Sequence, residues 1–150
     1  MAVDLKTIRE ALAARLNTVD AIRCYPYPVP NAVSNAAGKV AVLIDAADAD
    51  YVIYEETFTE AGLAQVNLAL YIEVTAQTPT AAQERLDELL SSGTGQDASI
   101  RNAVRTDPTL GGVVALTRVL TADPPDFGEA ANGVHAATAR VSVEIHCTRS

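Results

Sequence analysis

Residues 64–74, near the middle of the chain, alternate between apolar side chains and a mixed set, and this run constrains the fold more than any other segment. Side chains of a β-strand point alternately to the two faces of a sheet, so the run predicts a long strand with one face in the core. The other face is mixed, which indicates a surface that is only partly buried and that meets solvent or another subunit. The core-facing residues are Ala64, Val66, Leu68, Leu70, Ile72 and Val74, and the others are Gln65, Asn67, Ala69, Tyr71 and Glu73.

Further segments carry strand patterns. Residues 22–25 predict a short edge strand, because three prolines follow closely and remove backbone donors. Residues 39–45 are apolar on both faces and predict a strand that is covered on both sides. Segments 51–54 and 113–120 predict two more strands, and residues 134–147 alternate again. In that last segment the inward residues are Val141, Val143, Ile145 and Cys147, opposite Arg140, Ser142, Glu144 and His146.

Two polar segments are predicted to lie outside the strands. Glu55 and Glu56 are interpreted as an acidic turn that, together with Gly62, separates the 51–54 strand from the long one. Residues 123–129 contain two prolines and a glycine and are predicted to form a polar loop that cannot join a regular ladder.

Three segments have helical periodicity. Residues 4–17 predict an amphipathic helix with Asp4 as N-cap. A second helix is predicted to begin at Thr78-Pro79, and Thr80 with Gln83 also fits a capping box for a start two residues later. After a break at residues 91–95, Asp97 is predicted to cap a shorter helix. The predicted inward residues are Leu5, Ile8, Leu12 and Leu16, then Ala82, Leu86, Leu89 and Leu90, then Ile100, Ala103 and Val104; on the first helix Lys6, Arg9, Glu10 and Arg15 fall elsewhere on the wheel.

The order of these elements shows no regular alternation of strand and helix and no internal repeat. It predicts one α+β domain over residues 1–150. The expected architecture is a mixed, largely antiparallel β-sheet with an N-terminal helix and a central helix pair packed on one face.

A structural corner at Pro108, Leu110, Gly111 and Gly112 joins the last helix to the 113–120 strand. Proline ends a helix and glycine tolerates positive φ, so the segment is predicted to reverse the chain and hold the helical layer against the sheet. It carries no nucleophile, base or metal ligand. The corner therefore points to assembly rather than chemistry.

The charge of the chain argues against specific nucleic-acid binding. Among 150 residues, 19 are acidic and 11 basic, a net charge of -8 that repels polyphosphate. No signal sequence and no run long enough for a membrane helix is found, so neither secretion nor membrane association is expected. Aromatic residues contribute only 5% and tryptophan is absent, so the core is built from small side chains and partner subunits are expected to complete it.

No pattern predicts a catalytic, cofactor or metal site. His135 and His146 would lie about 36 Å apart on a straight strand and cannot share a metal. The serine- and glycine-rich residues 91–95 lack the lysine of a phosphate-binding loop and are interpreted as a turn between helices. The carboxylates at positions 45, 48, 50, 55 and 56 lack the spacing of a calcium loop and are interpreted as solvated turn charges.

Arg101, Arg105 and Arg118 form the basic group that the predicted fold brings together. Arg101 and Arg105 share one helical face at four-residue spacing, and Arg118 lies on the adjoining strand. A salt-bridged face is favoured over DNA contact because the chain is acidic. An ion pair between subunits is the third interpretation.

One set of segments follows a recognisable order along the chain. It consists of Tyr71-Ile72-Glu73-Val74, Ala82-Gln83-Glu84-Arg85-Leu86-Asp87-Glu88-Leu89-Leu90, Ile100-Arg101-Asn102-Ala103-Val104, Asp107-Pro108-Thr109-Leu110-Gly111-Gly112, a valine-rich strand and a terminal alternating strand. Together these segments resemble the tail terminator and related neck proteins of long-tailed, siphophage-type bacteriophages. The resemblance covers mainly the second half of the chain, and the N-terminal helix and proline-rich segment match only in general layout.

The resemblance implies a structural protein without enzymatic activity or cofactor. Such proteins form rings, commonly hexamers, that cap the head-proximal end of the tail tube, stop its polymerisation and present a surface to the head's connector. The expected partners are further copies of the chain, the tube protein and a connector or neck protein, with DNA sliding through the ring. The expected location is the head-proximal tail of the virion, after assembly in the host bacterial cytoplasm.

Contacts with these partners are expected in loops 29–38, 55–62 and 123–133. The candidate contact residues are Arg101, Arg105, Arg118, Glu55, Glu56, Asp126 and Phe127. Another neck component or a tube protein is the close alternative. The alternative of a different class is a small cysteine hydrolase or ligand-binding enzyme that uses Cys24 with His146.

Overall fold

The computed structural model describes residues 3–30, 32, 39–56, 61–129 and 134–147. Within these ranges the chain forms three helices and seven strands. The helices are α1 (Leu5–Leu16), α2 (Pro79–Leu90) and α3 (Ile100–Thr106), and the strands are β1 (Ile22–Tyr25), β2 (Val40–Ala46), β3 (Val52–Glu56), β4 (Ala61–Ala76), β5 (Leu116–Ala122), β6 (Asp126–Glu129) and β7 (His135–His146).

All seven strands belong to one mixed sheet, which is the type of sheet that the sequence predicts. The two long strands, β4 and β7, form its antiparallel centre, in a register that runs from Gln65 opposite His146 to Ala76 opposite His135. On the outer side of β4, β2 pairs with one half and β3 with the other. On the outer side of β7, β5 pairs with the second half of the strand and β6 with the first half. Strand β1 extends the sheet beyond β2 and is its parallel member.

Around Gln65 and Val66 of β4, where β3 and β5 overlap, the sheet is a row of four strands in the order β3-β4-β7-β5. Each neighbouring pair in this four-stranded row is antiparallel, so β3 and β5 run in opposite directions. Within the described part of the chain, each of these two strands pairs on one side only. The row therefore has an open edge at β3 and another at β5.

The hydrophobic core lies on one face of the sheet, beneath the helices, which confirms the predicted α+β layering. Helix α2 packs on β4 and β7, α3 on β5, and α1 on β1 and α3. The inward alternation predicted for the two long strands is confirmed. The strands and helices contribute, among others, Val66, Leu68, Leu70, Ile72, Val141, Val143, Ile145, Ile8, Leu12, Leu16, Leu86, Leu89, Ile100 and Val104.

The opposite face of the sheet is open over β4 and β7 and locally covered at β2. Tyr71 is half-exposed there, whereas Ala41 is buried in a small cluster with Ala32, Tyr25 and Val29. This cluster confirms that β2 has apolar cover on both sides. The cover comes from the chain just before β2.

Two of the predicted helix starts are confirmed, and the third is corrected. The Asp4 carboxylate accepts the N–H of Thr7 at 2.7 Å, and the Thr78 hydroxyl accepts the N–H of Ala81 at 3.1 Å. Asp97, however, does not cap α3. The cap is Ser99, which is fully buried and accepts the N–H of Asn102 at 3.1 Å.

Three predictions about strand ends are wrong. Glu55 and Glu56 lie in β3 and Gly62 lies in β4, because the two strands stay paired down to Glu56 opposite Ala61. Residues 126–129 form β6 instead of a loop, because they pair with the first residues of β7. The 113–120 segment is also shifted: the turn continues through residue 115, and β5 begins at Leu116.

Arg9 is the clearest error in the helix-wheel prediction, which placed it away from the apolar stripe. Its side chain is only 6% exposed. It donates to the carbonyl oxygens of Pro26 and Ile44 and to the Tyr51 hydroxyl, so polar atoms from the β1–β2 and β2–β3 connections and from β2 itself surround it.

Candidate functional site

The corner after α3 is a left-handed turn held by its own polar groups. Leu110, Gly111 and Gly112 have φ of 52°, 74° and 90°, and Leu110 is buried in the core. Glycine adopts such angles at little cost, whereas a branched residue does not. The reversal that the sequence predicts is therefore confirmed, with the non-glycine Leu110 included in it.

Hydrogen bonds close this corner on both sides. The Asp107 carboxylate accepts the N–H of Gly111 at 2.9 Å and the hydroxyl of Thr109 at 3.2 Å. The carbonyl of Thr109 accepts the N–H groups of Gly112 and Val114, both at 3.1 Å. The result is a rigid link that fixes α3 relative to β5.

The three arginines of the predicted basic group line one cleft of about 390 Å³ between α3 and β5, which we call the arginine cleft. Arg101 and Arg105 come from α3, and Arg118 comes from β5. The cleft also contains Pro108, Leu116, Thr117 and Val119. Because β5 is an edge strand, the cleft runs along the open edge of the four-stranded row.

The arginines of this cleft differ in what holds them. Arg101 donates to the Ser92 hydroxyl at 2.9 Å. Arg118 lies 3.7 Å from the Glu144 carboxylate, an exposed and weak ion pair. Arg105 has no hydrogen bond or ion pair within the described part of the chain. The salt-bridged face favoured from the sequence is thus correct for Arg118 alone.

Thr117 is the polar residue in the wall of the arginine cleft that lacks a partner. It is 3% exposed, and its hydroxyl makes no hydrogen bond with the rest of the described structure. Because this oxygen is inaccessible from outside the subunit, it belongs to the interior beneath the cleft and not to the cleft's surface.

The opposite edge of the row carries the acidic candidate residues. Glu55 and Glu56 lie at the end of β3, next to Ile53 and Tyr54, whose side chains are 42% and 72% exposed. The β5 edge has exposed apolar residues as well: Leu116 at 39% and Leu120 at 45%. Both edges therefore combine charge with uncovered apolar surface.

Asp126 and Phe127, also proposed as contacts, lie together on β6, where Phe127 is half-exposed and pairs with Ala137. They lie on the same outer side of β7 as β5 but further along it: Asp126 is opposite Thr138, whereas β5 ends at Ala122 opposite Val141. The predicted contact loops fall largely at 31, 33–38, 57–60 and 130–133, which lie outside the described residues.

The alternative pairing of Cys24 with His146 is not formed. Cys24 aligns through Val42 and Ile72 with Ala139, so His146 is three strands away and seven residues further along. These offsets are roughly 14 Å across the sheet and roughly 23 Å along it. Burial also raises the pKa of the Cys24 thiol to about 12, the reverse of what an activated nucleophile needs.

The remaining candidate groups are dispersed. Asp48 pairs with Arg140 at 2.6 Å across the open face of the sheet, and this bond raises the pKa of Arg140. Within the described ranges no three acidic, cysteine or histidine residues are grouped to hold a metal ion, and no helix is long and apolar enough to cross a membrane. The turn at 93–95 lies beside a separate open cleft of about 850 Å³, which includes Arg15 and Arg105.

Sequence reasoning missed the apolar residues of the two edges, Ile53, Tyr54, Leu116 and Leu120. Their alternation is visible in the sequence, but an alternating strand does not reveal which neighbours it lacks. Only the strand order identifies β3 and β5 as the open edges of one row.

The geometry defines an α+β domain with two chemically different open sheet edges and a basic cleft along one of them. The scan against family models and the search of curated proteins gave no match to this chain.

Proposed function

We propose that this chain is a structural ring protein, the tail terminator of a long-tailed bacteriophage, without enzymatic activity. The observation that carries this proposal is the pair of open, oppositely charged edges on the four-stranded row. An edge strand exposes unpaired backbone groups and normally has to be covered or protected. In this chain both edges add exposed apolar side chains, at Ile53 and Tyr54 on one side and at Leu116 and Leu120 on the other.

Two different edges on one subunit favour a head-to-tail contact. Such a contact joins one surface of a copy to a different surface of the next, and repetition generates a closed ring when the rotation closes. A symmetric dimer would instead join identical surfaces. The observed asymmetry of charge thus supports a ring over a two-fold dimer, and a hexamer is the ring size that the family resemblance implies.

The open face of the sheet supports the proposed passage of DNA. It displays the carboxylates of Asp45 and Glu73, while Asp48 pairs with Arg140 and Glu144 with Arg118. An acidic surface does not hold phosphates strongly, so DNA can slide past it. In the proposed ring the other partners are the tube protein and a connector or neck protein.

The proposal is tested by measuring the oligomeric mass of the chain and its effect on the growth of tail tubes. Native mass spectrometry of the purified chain is expected to give a single closed oligomer. When the oligomer is added to polymerising tube protein, electron microscopy is expected to show ring-capped tubes that stop growing. A strict monomer at high concentration, with and without tube protein, would refute the proposal.

The close alternatives share the ring but differ in partner. Spontaneous growth of the purified chain into long tubes would identify a tube protein. A ring that binds the connector but leaves tube growth unchanged would identify another neck component.

A further inference from the structure

We propose that the β5 edge of one copy pairs with the β3 edge of the next, and that the arginine cleft receives the acidic end of β3. This inference rests on the proposed function, because it names the contact by which the ring closes. The occupant of the cleft is therefore a second copy of this chain.

Strand direction is the first support for this contact. The row β3-β4-β7-β5 alternates in direction, so β3 and β5 run opposite ways within one copy. If a second copy continues the sheet with the same face forward, its β3 lies antiparallel to β5 of the first. Every added pair then repeats the antiparallel pattern that the row already has, and the backbone groups of both edges gain partners.

Charge is the second support. The β5 edge carries Arg101, Arg105 and Arg118 around one cleft, and β3 ends with Glu55 and Glu56. Arg105 has no partner of its own in the described structure. A carboxylate arriving from β3 supplies it with an acceptor, and an arginine–carboxylate pair adds geometric specificity.

The bulges are the third support, because they limit where the pairing can occur. The register of β3 shifts between Ile53 and Tyr54, and that of β5 shifts between Val119 and Thr121. The regular part of β5 is thus Leu116 to Val119, the same stretch that lines the arginine cleft. Beyond its bulge, β3 runs regularly from Tyr54 to Glu56 and contains both glutamates. Laid antiparallel on Leu116–Arg118, this segment places Tyr54 opposite Arg118 and Glu56 opposite Leu116.

Charge reversal with rescue tests the contact. Arg105→Glu and Glu55→Arg are each expected to raise the protomer concentration needed for ring assembly by at least about tenfold. The double variant is expected to restore assembly at the original concentration. Arg105 is the arginine of choice because its replacement breaks no hydrogen bond or ion pair within the described part of the subunit. The matched controls are Arg23→Glu on β1 and Glu88→Arg on α2, both exposed positions away from the row, which are expected to assemble normally.

Disulfide trapping provides a second, independent readout. In a Cys147→Ser background, Arg118→Cys combined with Tyr54→Cys, two exposed positions that face each other in this pairing, is treated with oxidised glutathione, which takes up the two electrons and two protons of each thiol pair. The expected product is a ladder of covalently linked subunits up to the ring size. Either cysteine alone can link only two copies and is expected to give no ladder.

The outcomes separate this inference from the proposed function. If the unmodified chain forms rings, but the two charge reversals assemble normally and no ladder forms, the contact is refuted and the ring proposal stands. If single reversals fail and the double variant is not rescued, the Arg105–Glu55 pairing is refuted. If the unmodified chain is monomeric with tube protein present, the ring proposal itself fails and the contact fails with it.

Discussion

The guanidinium of Arg9 and the carbonyl oxygen of Ile44 are joined by a buried hydrogen bond of 2.7 Å. The bond ties α1 to the end of β2. The same guanidinium donates to the Pro26 carbonyl at 2.9 Å and stacks over the ring of Tyr27 at 4.5 Å. A single side chain thus fastens the first helix to three segments of chain that arrive later in the sequence.

Replacing Arg9 is expected to be among the most destabilising substitutions in α1. Arg9→Ala leaves the Ile44 carbonyl buried without its donor and removes a packed side chain, so the free energy of unfolding should fall by about 3 kcal/mol. The measurement is denaturant unfolding followed by circular dichroism.

The matched control for Arg9 is Lys6→Ala on the same helix. Lys6 is exposed and pairs with Glu10 at 3.9 Å, so its loss should change stability by less than about 0.5 kcal/mol. Tyr51→Phe removes one acceptor of the Arg9 guanidinium and should cost about 1 kcal/mol. Equal effects of Arg9→Ala and Lys6→Ala would contradict the proposed anchoring role.

A pair of variants distinguishes the true N-cap of α3 from the one that the sequence suggested. Ser99→Ala removes the acceptor for the Asn102 N–H and the donor to the Ser91 carbonyl, and should cost about 1–2 kcal/mol. Asp97→Ala should change stability by less than about 0.5 kcal/mol, since Asp97 lies in the turn before the cap. Thermal melts of both variants show which residue is the N-cap. A larger loss of stability from Asp97→Ala would favour the sequence-based assignment.

The corner predicts a difference between two substitutions at Gly111. No atom lies within 4 Å of a Cβ built there, so the cost comes from the backbone angle of 74° alone. Gly111→Val should destabilise the fold by about 2 kcal/mol and impair ring assembly with it, because a β-branched residue is strained at positive φ. Gly111→Asn should cost less than about 1 kcal/mol, since asparagine tolerates this region. Folding and native mass would be measured together, and equal losses in the two variants would rule out backbone strain as the cause.

Stability at alkaline pH depends on the Cys24 thiol. Burial raises its folded pKa from 9.0 to about 12, so above pH 9 the unfolded chain loses this proton while the folded chain keeps it. The free energy of unfolding should therefore fall as pH rises from about 9 towards 12, by about 1.4 kcal/mol per pH unit from this group.

Cys24→Ala provides the comparison for that slope. The variant loses some packing at every pH, but its stability should fall less steeply above pH 9 because nothing ionises at this position. Urea unfolding at pH 8 and pH 10.5 separates the two effects. Parallel pH profiles for the two proteins would show that Cys24 does not contribute.

Local patterns predicted most of the fold. The alternation in β4 and β7 and the apolar stripe of α2 identify core faces because side-chain direction follows the periods of strand and helix. The errors fall where long-range pairing overrides local signals. Residues 126–129 look like a loop until β7 supplies their hydrogen-bond partners, and Arg9 looks exposed until three other segments supply acceptors.

The candidate site was predicted only in part. The spacing of Arg101 and Arg105 on one helical turn and the short link to Arg118 predicted a basic group, and all three residues line one cleft. The Arg118 side chain itself pairs with Glu144. The sequence could not place Glu55 at the opposite edge of the same row. That relationship depends on strand order, which local periodicity does not encode.

By itself, the sequence determined which faces of its helices and strands are apolar, where the chain turns, and that a cluster of arginines exists in an acidic chain. These properties arise from neighbours within a few residues of one another. Only the tertiary structure decided that β3 and β5 are left as open edges and that Arg9 is buried, because both depend on contacts between segments tens of residues apart.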